Sequence, residues 1–80
     1  MAKTRDERYS RLLPDFAWRV KELRIEAGLS QDLLAEKSGL SVRGIQRLER
    51  PTDGGNPRLT TLMALADALG CEVSDLVPKR

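Results

Sequence analysis

A chain of 80 residues, 40% apolar and 32% charged, supports one domain with a barely sufficient core and is too apolar to stay disordered. It has no histidine and a single cysteine, Cys71, which excludes a catalytic triad, a clustered metal site and an internal disulfide; no cofactor and no enzymatic role are expected. The net charge is only +2, which by itself argues weakly for an acidic partner.

The distribution of that charge says more. Residues 41–58 carry Arg43, Arg47, Arg50 and Arg58 against Glu49 and Asp53, whereas residues 66–76 carry Asp67, Glu72 and Asp75 and no base. Such polarity suits a polyanion binder with one working face. No apolar run nears the ~20 residues of a membrane span and no apolar signal core opens the chain, so no membrane association is expected; the lone Cys71 points to a reducing, cytoplasmic setting.

In chain order, residues 1–14 begin with MAKTRDERYSRLL, where Thr4 and Glu7 have capping-box spacing, and end at Pro14; this stretch reads as a basic arm or a short helix. PDFAWRVKELRIEAG follows, with Phe16, Val20, Leu23 and Ala27 at helical spacing and Gly28 as its C-cap. Ser30 caps QDLLAEKSG, a helix containing Leu33 and Leu34 and closed by Gly39; Ser41 caps VRGIQRLER. PTDGGNP, residues 51–57, is a loop by its prolines, glycines, Asp and Asn. TTLMALADALG is periodic through Leu62, Met63, Ala66 and Leu69, and VSDLV supplies one more turn, capped by Ser74. Nothing alternates with period two. The expected fold is all-α, a compact bundle of about five short helices, with residues 1–14 as arm and 15–80 as the domain.

The helix from Ser41 to Arg50 has two unlike faces. At ~100° per residue, Ser41, Val42, Leu48 and Glu49 fall within roughly 60° of Ile45, and Arg43, Gln46, Arg47 and Arg50 fill the opposite arc. Arg pairs bidentately with guanine, Gln with adenine, and both reach phosphates. Gly44 on the flank permits close backbone approach. This is the pattern of a helix that seals one face against its domain and presents the other to a nucleic-acid groove. A phosphate-cradling loop is rejected, because Ile45 follows the Gly39–Gly44 pair where a lysine is required.

Counted from Gln31, QDLLAEKSGLSVRGIQRLER places small Ala35 fifth, Gly39 ninth and β-branched Ile45 fifteenth. Ala35 allows a close helix crossing, Gly39 a tight turn, and Ile45 with Leu48 packs the second helix on the first. This pattern resembles the helix-turn-helix of bacterial Cro/repressor-type regulators, the XRE family, whose DNA-binding fold is of the lambda-repressor type. RVKELRIEAGLSQ looks like the family's first helix and the glutamine opening its second; NPRLTTLMALADALG looks like its fourth. The resemblance covers about residues 15–77, with the motif at 31–50.

The resemblance implies a sequence-specific, nucleoid-associated transcriptional regulator, repressor or controller, acting on double-stranded DNA with an inverted-repeat operator. It gives Val42, Arg43, Gln46 and Arg47 as base readers. Gln31, Ser41, Arg50, Asn56, Arg58 and Arg19 become phosphate ligands, and Arg24 pairs with Glu49 as a structural bridge. Val42 departs from the polar residue usual at its position, which weakens the case for a side-chain bridge from Gln31; Pro51 is an unusual start to the family's loop. A homodimer is expected, with self-association through Leu69, Val73, Leu76 and Val77. Phage or plasmid repressors, restriction–modification controllers and antitoxins of the family all match this economy. The alternative is an antitoxin whose main task is to hold a protein partner while autoregulating its operon.

Overall fold

The computed structural model describes residues 13–50 and 57–77, with side chains from residue 15. The expected arm lies outside the described residues, apart from Leu13 and Pro14, and so does the loop at 51–56 with Asn56. The described residues form five helices and no strand: α1 Leu13–Glu26, α2 Gln31–Ser38, α3 Val42–Leu48, α4 Leu59–Leu69 and α5 Val73–Leu76. Helix α2 packs against both α3 and α4, and α5 packs against both α4 and α1.

Local chemistry accounts for most of these boundaries. Pro14 sits in the first turn of α1, where its missing N–H costs nothing; Asp15 in that turn and Arg24 in the last complement the helix dipole. The Ser30 hydroxyl accepts from the Leu33 N–H at 3.1 Å and the Ser41 hydroxyl from the Gly44 N–H at 2.9 Å, each satisfying an otherwise orphaned donor. Gly39 ends α2 at φ 77°, its N–H bonded to the Ala35 carbonyl; a side chain there would be strained. A Cβ at Gly44 would come within 3.1 Å of the Ser41 hydroxyl that caps the helix, close enough that the hydroxyl would have to shift.

The core is one cluster to which every helix contributes: Phe16 and Val20 from α1, Leu34 and Ala35 from α2, Ile45 and Leu48 from α3, Leu65 and Ala66 from α4, and Leu76 from α5. With so few large side chains, each matters to a domain of this size. Some expectations shift by a fraction of a turn. Ala27 is exposed beyond the end of α1, and Met63 and Leu33 also face outward; their neighbours Leu65 and Leu34 hold the buried arcs. Ser74 is not the cap of the last helix. Glu72 is, in a reciprocal capping box with Asp75 whose carboxylate accepts from the Glu72 N–H at 2.9 Å.

Leu76 requires the larger correction. Expected on a self-association surface, it is completely buried. A helix of four residues is far too short to persist on its own hydrogen bonds, and Leu76 is the side chain that anchors it to the core. Cys71, half-buried against the same core, has its thiol pushed up by burial and by Asp75 and Glu72, with Arg19 opposing, which disfavours the thiolate.

Replacing Leu76 with Ala is expected to cost about 2–5 kcal/mol in urea denaturation, the range for truncating a buried leucine. Val77→Ala, at the exposed neighbouring position, is expected to change stability by no more than ~0.5 kcal/mol. Equal losses at the two positions would contradict this placement of α5.

Candidate nucleic-acid interface

Helices α2 and α3 are joined by Gly39, Leu40 and Ser41. Ala35 is 4% exposed and Ile45 is fully buried, so the small residue and the β-branched one lie within the core. That burial determines what the rest of α3 can present. Arg43, Gln46 and Arg47 are exposed, and with Arg50 they line one shallow depression. Val42 is half-buried and packs against the core cluster, so only part of its side chain is open to a ligand.

A second depression adjoins the first through Gln46 and Arg50 and reaches across to Lys21, Ser30 and Gln31. Its floor is an ion-pair node. Arg24 donates from Nε to Glu49 Oε2 at 2.6 Å and from Nη2 to Oε1 at 3.1 Å, the two-pronged geometry that suits guanidinium and carboxylate. Gln31 Nε2 donates to the same Oε1 at 3.1 Å, and Arg24 Nη1 to the Leu29 carbonyl at 2.9 Å. The Glu49 side chain is 5% exposed. As the C-cap of α3, Glu49 sits where the helix dipole disfavours an acid, and the Arg24 cation offsets that.

The node also explains what Gln31 does without a polar partner at position 42. Its amide turns to Glu49, which leaves one N–H and the amide oxygen available at the rim of the depression. Ser41 is exposed, with its hydroxyl engaged in the cap. Arg58 is the exposed N-cap of α4 and makes no side-chain capping bond.

Arg19, expected as a phosphate ligand on α1, points elsewhere. Its Nε donates to the Asp75 carbonyl at 2.8 Å and its Nη1 pairs with Glu22, tying α1 to the last helix. Beside Arg24, the α1 cation on the depression is Lys21, which sequence reading passed over. Its signal was present: Lys21 precedes Arg24 by three residues, the spacing of side chains on one helix face. Of the expected self-association residues, Leu69 and Val73 are half-buried and Val77 is exposed. No group of His, Cys, Asp or Glu among the described residues is arranged to hold a metal ion.

Glu49→Ala would leave Arg24 and Gln31 without their shared acceptor. Removing one partner of a buried pair costs about 3–5 kcal/mol; because Arg24 retains 12% exposure, a loss near 3 kcal/mol is expected in urea denaturation. A loss below ~1 kcal/mol, the value of a surface pair, would count against the node as an anchor.

The helix-turn-helix family model matches residues 20–76. The immunity repressor protein of Bacillus phage phi105 is 48% identical over 59 residues, 74% of this chain, and the chain spans only 40% of that protein's length. Among solved structures, the restriction-modification controller protein C.AhdI from Aeromonas hydrophila is 39% identical with a TM-score of 0.74, covering 80% of this chain and 94% of its own. The hypothetical transcription factor NHTF from Neisseria is 28% identical with a TM-score of 0.73, covering 98% of this chain and 85% of its own. The family match spans the two crossed helices, the node that braces them and the helices that carry the core: this chain belongs to the helix-turn-helix family of Cro/repressor-type regulators.

Proposed function

We propose that this chain is a sequence-specific DNA-binding transcriptional regulator, a repressor or controller, that reads an operator major groove with α3. The observation that carries the reading is the division of α3 itself: Ile45 and Leu48 are buried while Arg43, Gln46 and Arg47 are exposed on the other face. The motif's second helix enters the major groove with its N-terminal residues on base edges. Arg43, Gln46 and Arg47 are the base readers, with the open part of Val42 as an apolar contact for a thymine methyl. Gln31, Ser41, Arg50, Asn56 and Arg58 hold the phosphate backbone, which sets register without reading sequence.

The regulator acts as a homodimer. A single domain this small buries too little interface for a typical specific affinity of ~10⁻⁸–10⁻¹¹ M, whereas two copies reading half-sites ~34–36 Å apart bury enough. The inverted repeat follows from that symmetry, and Leu69, Val73 and Val77, without the buried Leu76, are the contact candidates. A cytoplasmic, nucleoid-associated location goes with this role, and no described helix is long and apolar enough to cross a membrane. The antitoxin alternative is not favoured: the named relatives are a phage repressor and a restriction–modification controller.

Selection of bound duplexes from a random pool tests the reading, with an inverted repeat as the expected product and no enrichment as the contrary one. On the recovered duplex, Arg47→Ala is expected to cost about 1–3 kcal/mol and to relax preference at one base pair. Arg58→Ala is expected to weaken all sequences alike and to flatten the salt dependence. Identical behaviour of the two variants would overturn the division between readers and backbone ligands.

A further inference from the structure

Helix α1 carries three basic side chains, Arg19, Lys21 and Arg24. Two of them are engaged with acids: Arg24 in the node with Glu49, and Arg19 with Glu22. Lys21 is different. It is exposed and makes no ion pair with any described residue. Its ammonium lies 5.6 Å from the centroid of the Trp18 ring, one turn earlier on the same helix. At an exposed site such a contact is weak, so it gives the side chain a resting place without fixing it there.

Lys21 also borders the depression that Gln31 of α2 and Gln46 of α3 border from the other side. The carboxylate in its floor already has three donors from Arg24 and Gln31. Around it stand the Lys21 ammonium, the spare amide N–H groups of Gln31 and Gln46, and the Arg50 guanidinium. An ammonium flanked by amide donors and a second cation suits an anionic phosphodiester, and the lysine reaches it as a point charge without needing the fixed geometry of a guanidinium.

We propose that Lys21 is a phosphate-binding residue: on duplex binding its ammonium leaves the Trp18 ring and pairs with the backbone phosphate beside the bases that Gln46 and its neighbours read. This rests on the DNA-binding reading above and adds to it a contact on α1, the helix whose Arg19 is turned toward α5. The contact also accounts for the position of Trp18, 63% exposed and otherwise an unexplained aromatic on the surface.

The test is affinity for the recovered duplex across a salt series, for the wild type, Lys21→Ala, Lys21→Arg and Arg19→Ala. Each phosphate neutralised contributes about 0.9 to the slope of log K against log salt. Lys21→Ala is expected to lower the slope by about 0.9 per protomer with base preference unchanged, Lys21→Arg to retain it, and Arg19→Ala to leave it at the wild-type value. Trp18 is the sole tryptophan, so its emission reports directly: duplex addition is expected to shift it in the wild type and to shift it less in Lys21→Ala. Since Lys21 is exposed, melting of the variant is expected to match the wild type. An unchanged slope in Lys21→Ala would overturn the proposal and leave the DNA-binding reading standing. A flat slope in the wild type would remove both.

Discussion

A carboxylate does not leave water without a partner, and in this chain that constraint falls on Glu49. Its side chain stands at the end of α3, inside a pocket built by α1 and α2, and accepts from both helices at once. Helix α3 is seven residues long, too short to hold an orientation by its own hydrogen bonds. Two forces aim it. Ile45 and Leu48 pull one face into the core, and Glu49 fixes the far end to Arg24 and Gln31. The apolar pair sets which way the helix faces, but burial of that kind is non-directional. The bidentate bridge supplies the direction, so that Arg43, Gln46 and Arg47 are carried outward on a braced element.

The economy of the domain follows from its size. Nine side chains from five helices make a single core, and few can be replaced without loss. Polar side chains consequently serve as connectors between elements. Arg24 joins α1 to α3, Gln31 joins α2 to α3, and Arg19 joins α1 to the carbonyl end of α5. No buried side-chain donor or acceptor among the described residues lacks a hydrogen-bond partner, as a core this small requires. Of the described cations outside these bridges, Arg43, Arg47, Arg50 and Lys21 border the two adjoining depressions, while Lys37 and Arg58 line neither.

Much of this was readable in advance, because the informative residues act locally. Ser30 and Ser41 cap the helices that follow them, Gly39 takes the left-handed conformation its position demands, and Ala35 and Ile45 fall inside the core. The Arg24–Glu49 contact followed from resemblance and inward phase together. What escaped was set by a competing local cap and by tertiary packing. Ser74 is an ordinary capping residue by type, yet the chain enters α5 at Glu72, whose partner Asp75 completes a capping box of two acids. Leu76 reads as a terminal apolar residue, and only the contact of α5 with both α1 and α4 shows that it is core. Arg19 and Lys21 are two positions apart and look alike in sequence; the rotation of α1 sends one to α5 and the other to the depression.

The most direct measurement is an NMR titration of backbone and side-chain amides with the duplex recovered by selection. The expected result is that the largest perturbations fall on residues 42–47 and on the Gln31 and Gln46 side-chain amides, while the core positions of α4 stay in place. Saturating duplex that leaves residues 42–47 unmoved would show that the outward edge of α3 is not the surface that meets DNA.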